Sequence, residues 1–297
     1  MNAFLKVISY FDYEEQTALL PYADQGISQI SVGVGKKCTI FRFGDADYEE
    51  TGEIYTQSRL LSLLSRMLEH SPYAWEDELG RGYFPLAGGI RVGVTGRFSK
   101  DNEKTRLVLP TGLLIRIPRE IRGCAHTLVR LMEENGFLSG TMILSPPGMG
   151  KTTMLRDACR LISDKRTVCV VDERCEIAAL YEGRAQFDIG KRAHVCEGLS
   201  KAEACMMLIR SMSPDVIVMD EIGSKEDAEA IFDASRMGVS VLASAHAASL
   251  DDALSRRMLS NAMNAGAFGW ACVLGPSVGK INHLYAFSEG KWLQKSL

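Results

Sequence analysis

The chain has 297 residues, a formal net charge of −3, and 46% hydrophobic and 24% charged residues. This length allows two domains with sizeable cores, and the slightly acidic balance gives no global basic field that would attract nucleic acid. No apolar run is long enough to span a bilayer, and the first residues lack the layout of a signal peptide. We therefore expect a cytoplasmic protein with no nucleic-acid partner.

The eight cysteines and five histidines show no pattern of a metal or redox site. No two cysteines form a Cys-x-x-Cys pair, which argues against a zinc finger and a thioredoxin motif. The histidines have no metal-ligand spacing. We expect free thiols in a reducing compartment, several of them in the core.

Residues 1–117 predict an α+β domain. The expected elements are helices at 14–20 and 58–68, a strand at 38–43, a hairpin within 82–97 that turns at 87–89, and further strand at 107–109 and 112–117. Residues 118–123 have proline and glycine at their ends and predict a linker.

Residues 124–297 alternate between β and α patterns and predict a second, larger domain. The expected elements are helices at 126–135 (stopping at Gly136), 154–162, 201–212 and 228–237, and strands at 141–144, 167–171, 216–219 and 239–243. Such alternation gives a mostly parallel sheet covered on both faces. The predicted fold class is α/β, with ligands at the carboxyl ends of the strands.

Residues 145–153, Ser-Pro-Pro-Gly-Met-Gly-Lys-Thr-Thr, stand between a predicted strand and a predicted helix, which is the context of a phosphate-binding P-loop, or Walker A motif. Lys151 would reach the β- and γ-phosphates, and the Thr152 hydroxyl would ligate Mg²⁺. The nucleotide-binding residues would be Pro147, Gly148, Met149, Gly150, Lys151, Thr152 and Thr153. Ser145 stands where the pattern has glycine, which removes easy access to positive φ.

Asp220 and Glu221 directly follow the predicted strand at 216–219. Asp220 would hold the Mg²⁺ shell, partly through water, and Glu221 would orient or deprotonate the attacking water. The alternative is that both are exposed carboxylates that open the next loop.

Two further strand ends carry polar residues. Asp172 and Glu173 could bind the metal's water shell or polarise the attacking water, with Glu176 close behind, although Arg174 could instead pair with these acids in a structural cluster. His246 follows the strand at 239–243 and could sense the nucleotide state by hydrogen bonding. The alternative for His246 is a structural role.

Phosphoryl transfer also requires positive charge as the γ-phosphate leaves, which is commonly supplied by an arginine of a neighbouring subunit. The candidates are Arg91, Arg97, Arg116, Arg119 and Arg210. For each of them the alternative is a solvated surface charge.

The segment at 208–223 is similar to the region of the second Walker motif in type II and type IV secretion and pilus-retraction ATPases. Those proteins also carry an acidic box, matched here by Asp172, Glu173 and Glu176, and a histidine box, matched by His246. More closely, the chain resembles the stage III sporulation protein AA family. The segments that carry this resemblance are 88–96, 115–121, 171–177, 219–223 and 243–247.

The resemblance implies a RecA-like P-loop NTPase core at 124–297, with ATP and Mg²⁺ as cofactors. It implies a homo-oligomer, a hexamer, peripheral to a membrane channel or secretion complex that joins mother cell and forespore, with the membrane reached only through partners. In the related ATPases, arginines of the N-terminal domain reach the nucleotide, and Arg91 and Arg116 occupy suitable places. The chain departs from the secretion ATPases at Ser145 and in its acidic box, Asp-Glu-Arg-Cys-Glu.

These observations favour an ATP-hydrolysing motor in sporulation. One alternative is a nucleic-acid translocase of similar core, which the acidic pI of about 6.0 and the lack of an aromatic–basic stripe argue against. Another is a nucleotide-gated assembly scaffold, which the intact Glu221 disfavours. Transfer to a small-molecule acceptor is weaker still, because no lid segment is evident.

Overall fold

The structure is a computed structural model that describes residues 3–71, 75–101, 104–134, 137, 139–264, 266–277 and 279–296. The chain divides into two compact units, Met1–Arg119 and Glu120–Leu297. The division falls inside the segment predicted as a linker, where the structure has neither helix nor strand. The separation into functional domains at 1–117 and 124–297 stays a prediction.

The first unit is α+β. Its helices are α1 (Ala3–Ile8), α2 (Tyr13–Leu19), α3 (Gln57–Met67) and α4 (Glu76–Gly80), with a short 3₁₀ turn at Leu20–Tyr22. Its strands are β1 (Ile27–Gly33), β2 (Cys38–Arg42), β3 (Tyr48–Thr51), β4 (Tyr83–Leu86), β5 (Ile90–Asp101) and β6 (Lys104–Arg116). They form one six-stranded sheet in the order β3-β2-β1-β6-β5-β4, and every pairing is antiparallel.

Helix α3 follows directly from its sequence. The Thr56 side chain caps it by accepting a hydrogen bond from the Arg59 amide. Leu60 and Leu64 recur at helical spacing and are buried with Val92 of β5 in one core. The helix therefore covers one face of the sheet.

The predicted hairpin at 82–97 is confirmed as β4 and β5. It turns at Gly88 and Gly89, which have positive φ of 91° and 72°. The two strand segments predicted at 107–109 and 112–117 belong to one continuous strand, β6, which ends at Arg116. Its Pro110 lies where the register with β5 shifts between Thr95 and Gly96, a bulge at which a missing N–H is tolerated.

The second unit contains the remaining elements. Its helices are α5 (His126–Glu134), α6 (Lys151–Ile162), α7 (Lys201–Met212), α8 (Lys225–Arg236), α9 (Leu250–Ser255) and α10 (Arg257–Asn264). Its strands are β7 (Gly140–Ser145), β8 (Val168–Val171), β9 (Ala193–Cys196), β10 (Val216–Met219), β11 (Ser240–His246), β12 (Phe268–Leu274), β13 (Ile281–Ser288) and β14 (Lys291–Lys295). The predicted end of α5 at Asn135 and Gly136 lies outside the described residues.

The sheet of this unit has eight strands in the order β14-β13-β12-β7-β11-β10-β8-β9. The six strands from β12 to β9 are parallel, and β13 and β14 extend the sheet as an antiparallel hairpin. One core packs α7 and α8 on the sheet, with Leu208 and Ile231 against Met219. A second core packs α5 and α6 on the sheet, with Leu155 against Ile143. Coverage on both faces is as predicted.

Because these strands are parallel, their carboxyl ends lie along one edge of the sheet. Strands β7, β11, β10 and β8 are consecutive neighbours, so the residues that follow them are brought to adjacent places on that edge. Among the described residues, no helix combines the length and apolarity needed to cross a bilayer.

Candidate nucleotide site

The predicted P-loop joins β7 to α6. Gly148 and Gly150 have φ of 78° and 84°, the left-handed region that favours glycine. A Cβ added at Gly148 would meet no atom of the described chain within 4 Å, so within the protein itself the glycine serves the backbone conformation. The first N–H groups of α6 have no partner within the helix. They and the helix dipole could hold a phosphate chain at this end.

Ser145 fits its place without strain. It is the last residue of β7, pairs with His246 of β11, and is fully buried. As a strand residue it lies outside the positive-φ region, so this position does not need the freedom that glycine would give. Its hydroxyl donates to the Pro146 carbonyl at 2.9 Å.

Lys151 begins α6 and is 5% exposed. Its Nζ lies 3.2 Å from the Ser145 carbonyl oxygen and 2.9 Å from Nδ1 of His246. Burial lowers the pKa of the Lys151 ammonium, and the charges of Asp220 and Glu221 oppose that shift in part. A less strongly solvated ammonium at the start of the helix is suited to bind a phosphate oxygen.

Asp220 connects the end of β10 to the P-loop. Its Oδ2 accepts a hydrogen bond from the Thr152 hydroxyl at 2.6 Å. Its Oδ1 accepts from the Ser244 hydroxyl and, at 3.0 Å, from the Glu221 amide. A hydroxyl and a carboxylate within hydrogen-bond distance are the hard oxygen donors that Mg²⁺ takes alongside phosphate and water. The donor set therefore fits Mg²⁺.

Among the described residues there is no group of three or more histidine, cysteine or acidic side chains that could hold a metal by itself. A nucleotide-bound Mg²⁺ does not require one, because phosphate oxygens and water complete its shell.

Glu221 follows Asp220 with a left-handed φ of 48°. Its amide also donates to the Ser244 hydroxyl at 3.1 Å. Its Oε1 lies 2.9 Å from Nε2 of His246, and its Oε2 accepts from Arg174. Because the Lys151 ammonium can only donate, Nδ1 of His246 accepts, and Nε2 carries the hydrogen that is given to Glu221.

The acidic box differs from the prediction. Asp172 is buried, and its two carboxylate oxygens accept hydrogen bonds from four backbone amides, those of Glu176, Ile177, Ala178 and Ala179. The lone pairs that a metal would use are occupied by the loop that follows β8. Asp172 therefore anchors that loop, and its predicted place as a Mg²⁺ ligand does not fit this geometry.

Glu173 is also engaged away from the P-loop. It pairs with Lys201 at the start of α7, whose side chain is only 8% exposed. The backbone carbonyls of Glu176 and Ile177 accept from Arg156 of α6, at 2.6 and 2.8 Å. Both contacts tie the loop at 172–179 to its neighbouring helices.

The five candidate arginines are not brought together in the unit that contains the P-loop. Arg91 and Arg116 face each other in the β5–β6 ladder of the first unit, and the Arg91 guanidinium lies 3.9 Å from the centre of the Tyr83 ring. Arg97 and Arg119 belong to that unit too, and Arg210 is an exposed residue in the last turn of α7. A role for any of them at the nucleotide stays a prediction.

Sequence reasoning missed Ser244, Lys201 and Arg156. Ser244 had a usable signal, since it lies two residues before His246 in one strand, and alternate strand residues share a face. No sequence signal pointed to Lys201 and Arg156, because their partners are set by the path of the loop at 172–179.

The family model described as Sporulation stage III, protein AA matches residues 27–290. The chain belongs to this family. It is 37% identical over 249 residues to stage III sporulation protein AA of Bacillus subtilis (strain 168), covering 82% of this chain and 80% of that protein. The resemblance inferred from the sequence is confirmed.

Two solved structures share the fold. The ATPase DotB of Yersinia pseudotuberculosis superposes with a TM-score of 0.60 at 15% identity, covering 89% of this chain and 75% of that one. The pilus retraction motor PilT with bound ADP superposes with a TM-score of 0.58 at 16% identity, covering 86% and 76%. The RecA-like NTPase fold with an α+β N-terminal unit is thereby confirmed.

Proposed function

We propose that this chain binds Mg²⁺ and ATP at the P-loop and hydrolyses ATP. Lys151 binds the terminal phosphates and Thr152 and Asp220 hold the metal shell. Glu221 activates water, and His246 connects Glu221 to Lys151 by hydrogen bonds. ATP bound with Mg²⁺ supplies an electrophilic γ-phosphorus, and the chain's residues orient the reactants and stabilise the charge that develops.

The observation that carries this proposal is the link between two strand ends. The Thr152 hydroxyl donates to Asp220 at 2.6 Å, so the predicted metal ligand of the P-loop and the acid that follows β10 lie at one point. Glu221 is next in the chain and is bound by His246 at 2.9 Å. This is the arrangement that a water-activating site beside a phosphate-binding loop requires.

We further propose that hydrolysis drives a motor that powers a membrane-associated transport or channel complex in sporulation, between mother cell and forespore. Membership of the sporulation stage III protein AA family supports the setting. The shared fold with a pilus retraction motor supports the mechanical role. The protein would act as a hexamer, with Arg91 and Arg116 completing the charge at the nucleotide.

The test of hydrolysis is phosphate release by the purified full chain with Mg²⁺ and ATP. Lys151→Ala and Glu221→Gln should each reduce turnover by about 100-fold or more, and chelation of Mg²⁺ should abolish it. Asp233→Asn, an exposed acid on α8, is the matched control and should keep full turnover. Turnover that survives both site variants would refute the proposal.

The test of assembly is light scattering with and without a non-hydrolysable ATP analogue. A hexamer that forms on nucleotide supports the motor, and Arg116→Ala should then lower turnover without changing nucleotide affinity. A persistent monomer with full turnover would refute the trans-arginine role.

A further inference from the structure

The acidic box presents a cation, and not a carboxylate, to the proposed hydrolytic centre. The carboxylates of Asp172 and Glu173 are held by backbone amides and by Lys201. Arg174, the next residue, donates through Nη1 to Oε2 of Glu221. Thus, in the described part of the box, the side chain that contacts the water-activating residue is positively charged.

The Arg174–Glu221 contact is poorly explained by stability. The Arg174 side chain is 60% exposed and that of Glu221 is 21% exposed. An ion pair with so exposed a partner contributes little to the free energy of unfolding, because water competes and an exposed side chain must be ordered. The contact is therefore better explained by a role at the candidate site than by a contribution to folding.

The backbone that carries Arg174 is firmly held on both sides. The Cys175 amide donates to the Asp172 carbonyl at 3.0 Å, and the Glu176 amide donates to Oδ1 of Asp172 at 2.8 Å. Arg156 then fixes the carbonyls of Glu176 and Ile177. An exposed side chain on an ordered backbone can keep a contact at a smaller cost, because the backbone entropy is already lost in the loop and only the side-chain rotamers remain to be ordered.

Glu221 is therefore clamped from two directions. His246 binds Oε1 and Arg174 binds Oε2, which fixes the plane of the carboxylate while each oxygen keeps a further lone pair for a water. Without Arg174, the carboxylate would be held through Oε1 alone and could rotate. General-base catalysis depends on this orientation.

We propose that Arg174 is a positioning residue that holds Glu221 in the orientation for activating water. This inference rests on the proposed function and adds to it a cis-acting arginine that belongs to the same unit as the P-loop. Arg174 acts through Glu221, so its effect must vanish when the Glu221 carboxylate is lost.

The experiment is a double-mutant cycle on the full chain, with kcat and KM measured for ATP. Arg174→Ala should lower kcat about tenfold and leave KM for ATP within about twofold, since the P-loop contacts remain. Arg174→Lys keeps the charge without the planar fork and should lie between Arg174→Ala and the unchanged chain. In the Glu221→Gln background, Arg174→Ala should cause no further loss.

Arg130→Ala is the matched control. Arg130 is an exposed arginine paired with Glu134 on α5, and its removal should leave kcat unchanged. Arg174→Ala with unchanged kcat would overturn the inference. An increased kcat would overturn it too, because it would show that the contact holds Glu221 in an unproductive orientation. A full additional loss in the Glu221→Gln background would also overturn it. A chain with no turnover above Lys151→Ala would overturn the proposed function, and this inference with it.

Discussion

The carboxyl ends of β10 and β8 are neighbours in the sheet, paired in register from Val216 and Val168, and each is followed by two acidic residues. After β10, Asp220 bonds to the P-loop hydroxyl of Thr152. After β8, Asp172 binds the amides of its own loop. Adjacent acids at adjacent strand ends thus serve different purposes, and the decisive factor is which donors the following backbone supplies.

The largest expected effect concerns Asp220. Asp220→Asn should lower ATP turnover by about 100-fold or more, because a neutral amide holds the Mg²⁺ shell poorly. Stability should change little, since the amide oxygen can accept from Ser244 and the Glu221 amide, while the amide NH2 donates to the Thr152 hydroxyl, which can turn to accept. The measurement is phosphate release over a range of Mg²⁺ concentrations. Turnover equal to the unchanged chain would remove Asp220 from the metal site.

Asp172→Ala tests the other half of the comparison. Removing an acceptor of four backbone amides should lower the free energy of unfolding by about 3 kcal/mol, measured by urea titration. Turnover per folded molecule should fall by no more than the about tenfold expected for Arg174→Ala, because Asp172 holds the loop that carries Arg174 and does not bind the metal. The reverse pattern, normal stability with lost turnover, would restore Asp172 as a metal ligand.

Ser244→Ala tests how Asp220 and Glu221 are held. The hydroxyl donates to Asp220 and accepts from the Glu221 amide, so its loss should lower kcat about tenfold with little change in KM for ATP. Ser240→Ala in the same strand is the control, because Ser240 bonds the Ser139 carbonyl instead. Equal effects of both variants would mean that Ser244 only fills the core.

The smallest effect is expected at Glu173. Glu173 is 38% exposed, so Glu173→Gln should lower the free energy of unfolding by about 1 kcal/mol or less. Turnover should not change. A clear loss of kcat with normal nucleotide binding would show that Glu173, unlike Asp172, acts at the nucleotide.

The strands that position the site could be predicted from the sequence alone. β7, β8 and β10 are short apolar runs that are wholly buried, and such runs between helical patterns indicate a parallel sheet. β9, with the sequence Ala-His-Val-Cys, is only half-buried and has no alternation to reveal it. The antiparallel hairpin of β13 and β14 was missed because β13 has neither a continuous apolar run nor strict alternation, with only Ile281 and Leu284 buried, and because β14 is mostly exposed.

The candidate site likewise contains residues that the sequence located and one whose role it could not predict. Apolar strand ends located Asp220, Glu221 and His246, because parallel topology alone brings those residues together. The role of Asp172 could not be predicted, since it depends on how the chain returns after β8. That path uses left-handed backbone at Cys175 and Ala179, with φ of 54° and 49°, and neither residue type signals such a conformation.

Helix α6 carries Lys151 in its first turn and Arg156 farther along, a separation of about 7.5 Å at the usual rise per residue. Arg156 is buried, stacked 3.6 Å from the centre of the Phe187 ring, and bonded to the loop that bears Arg174. A close-packed helix moves as one body. The helix therefore connects the proposed phosphate end to the loop at 172–179 through direct contacts of Arg156. A displacement of Lys151 on nucleotide binding would be passed to the loop that carries Arg174, and so to the orientation of Glu221.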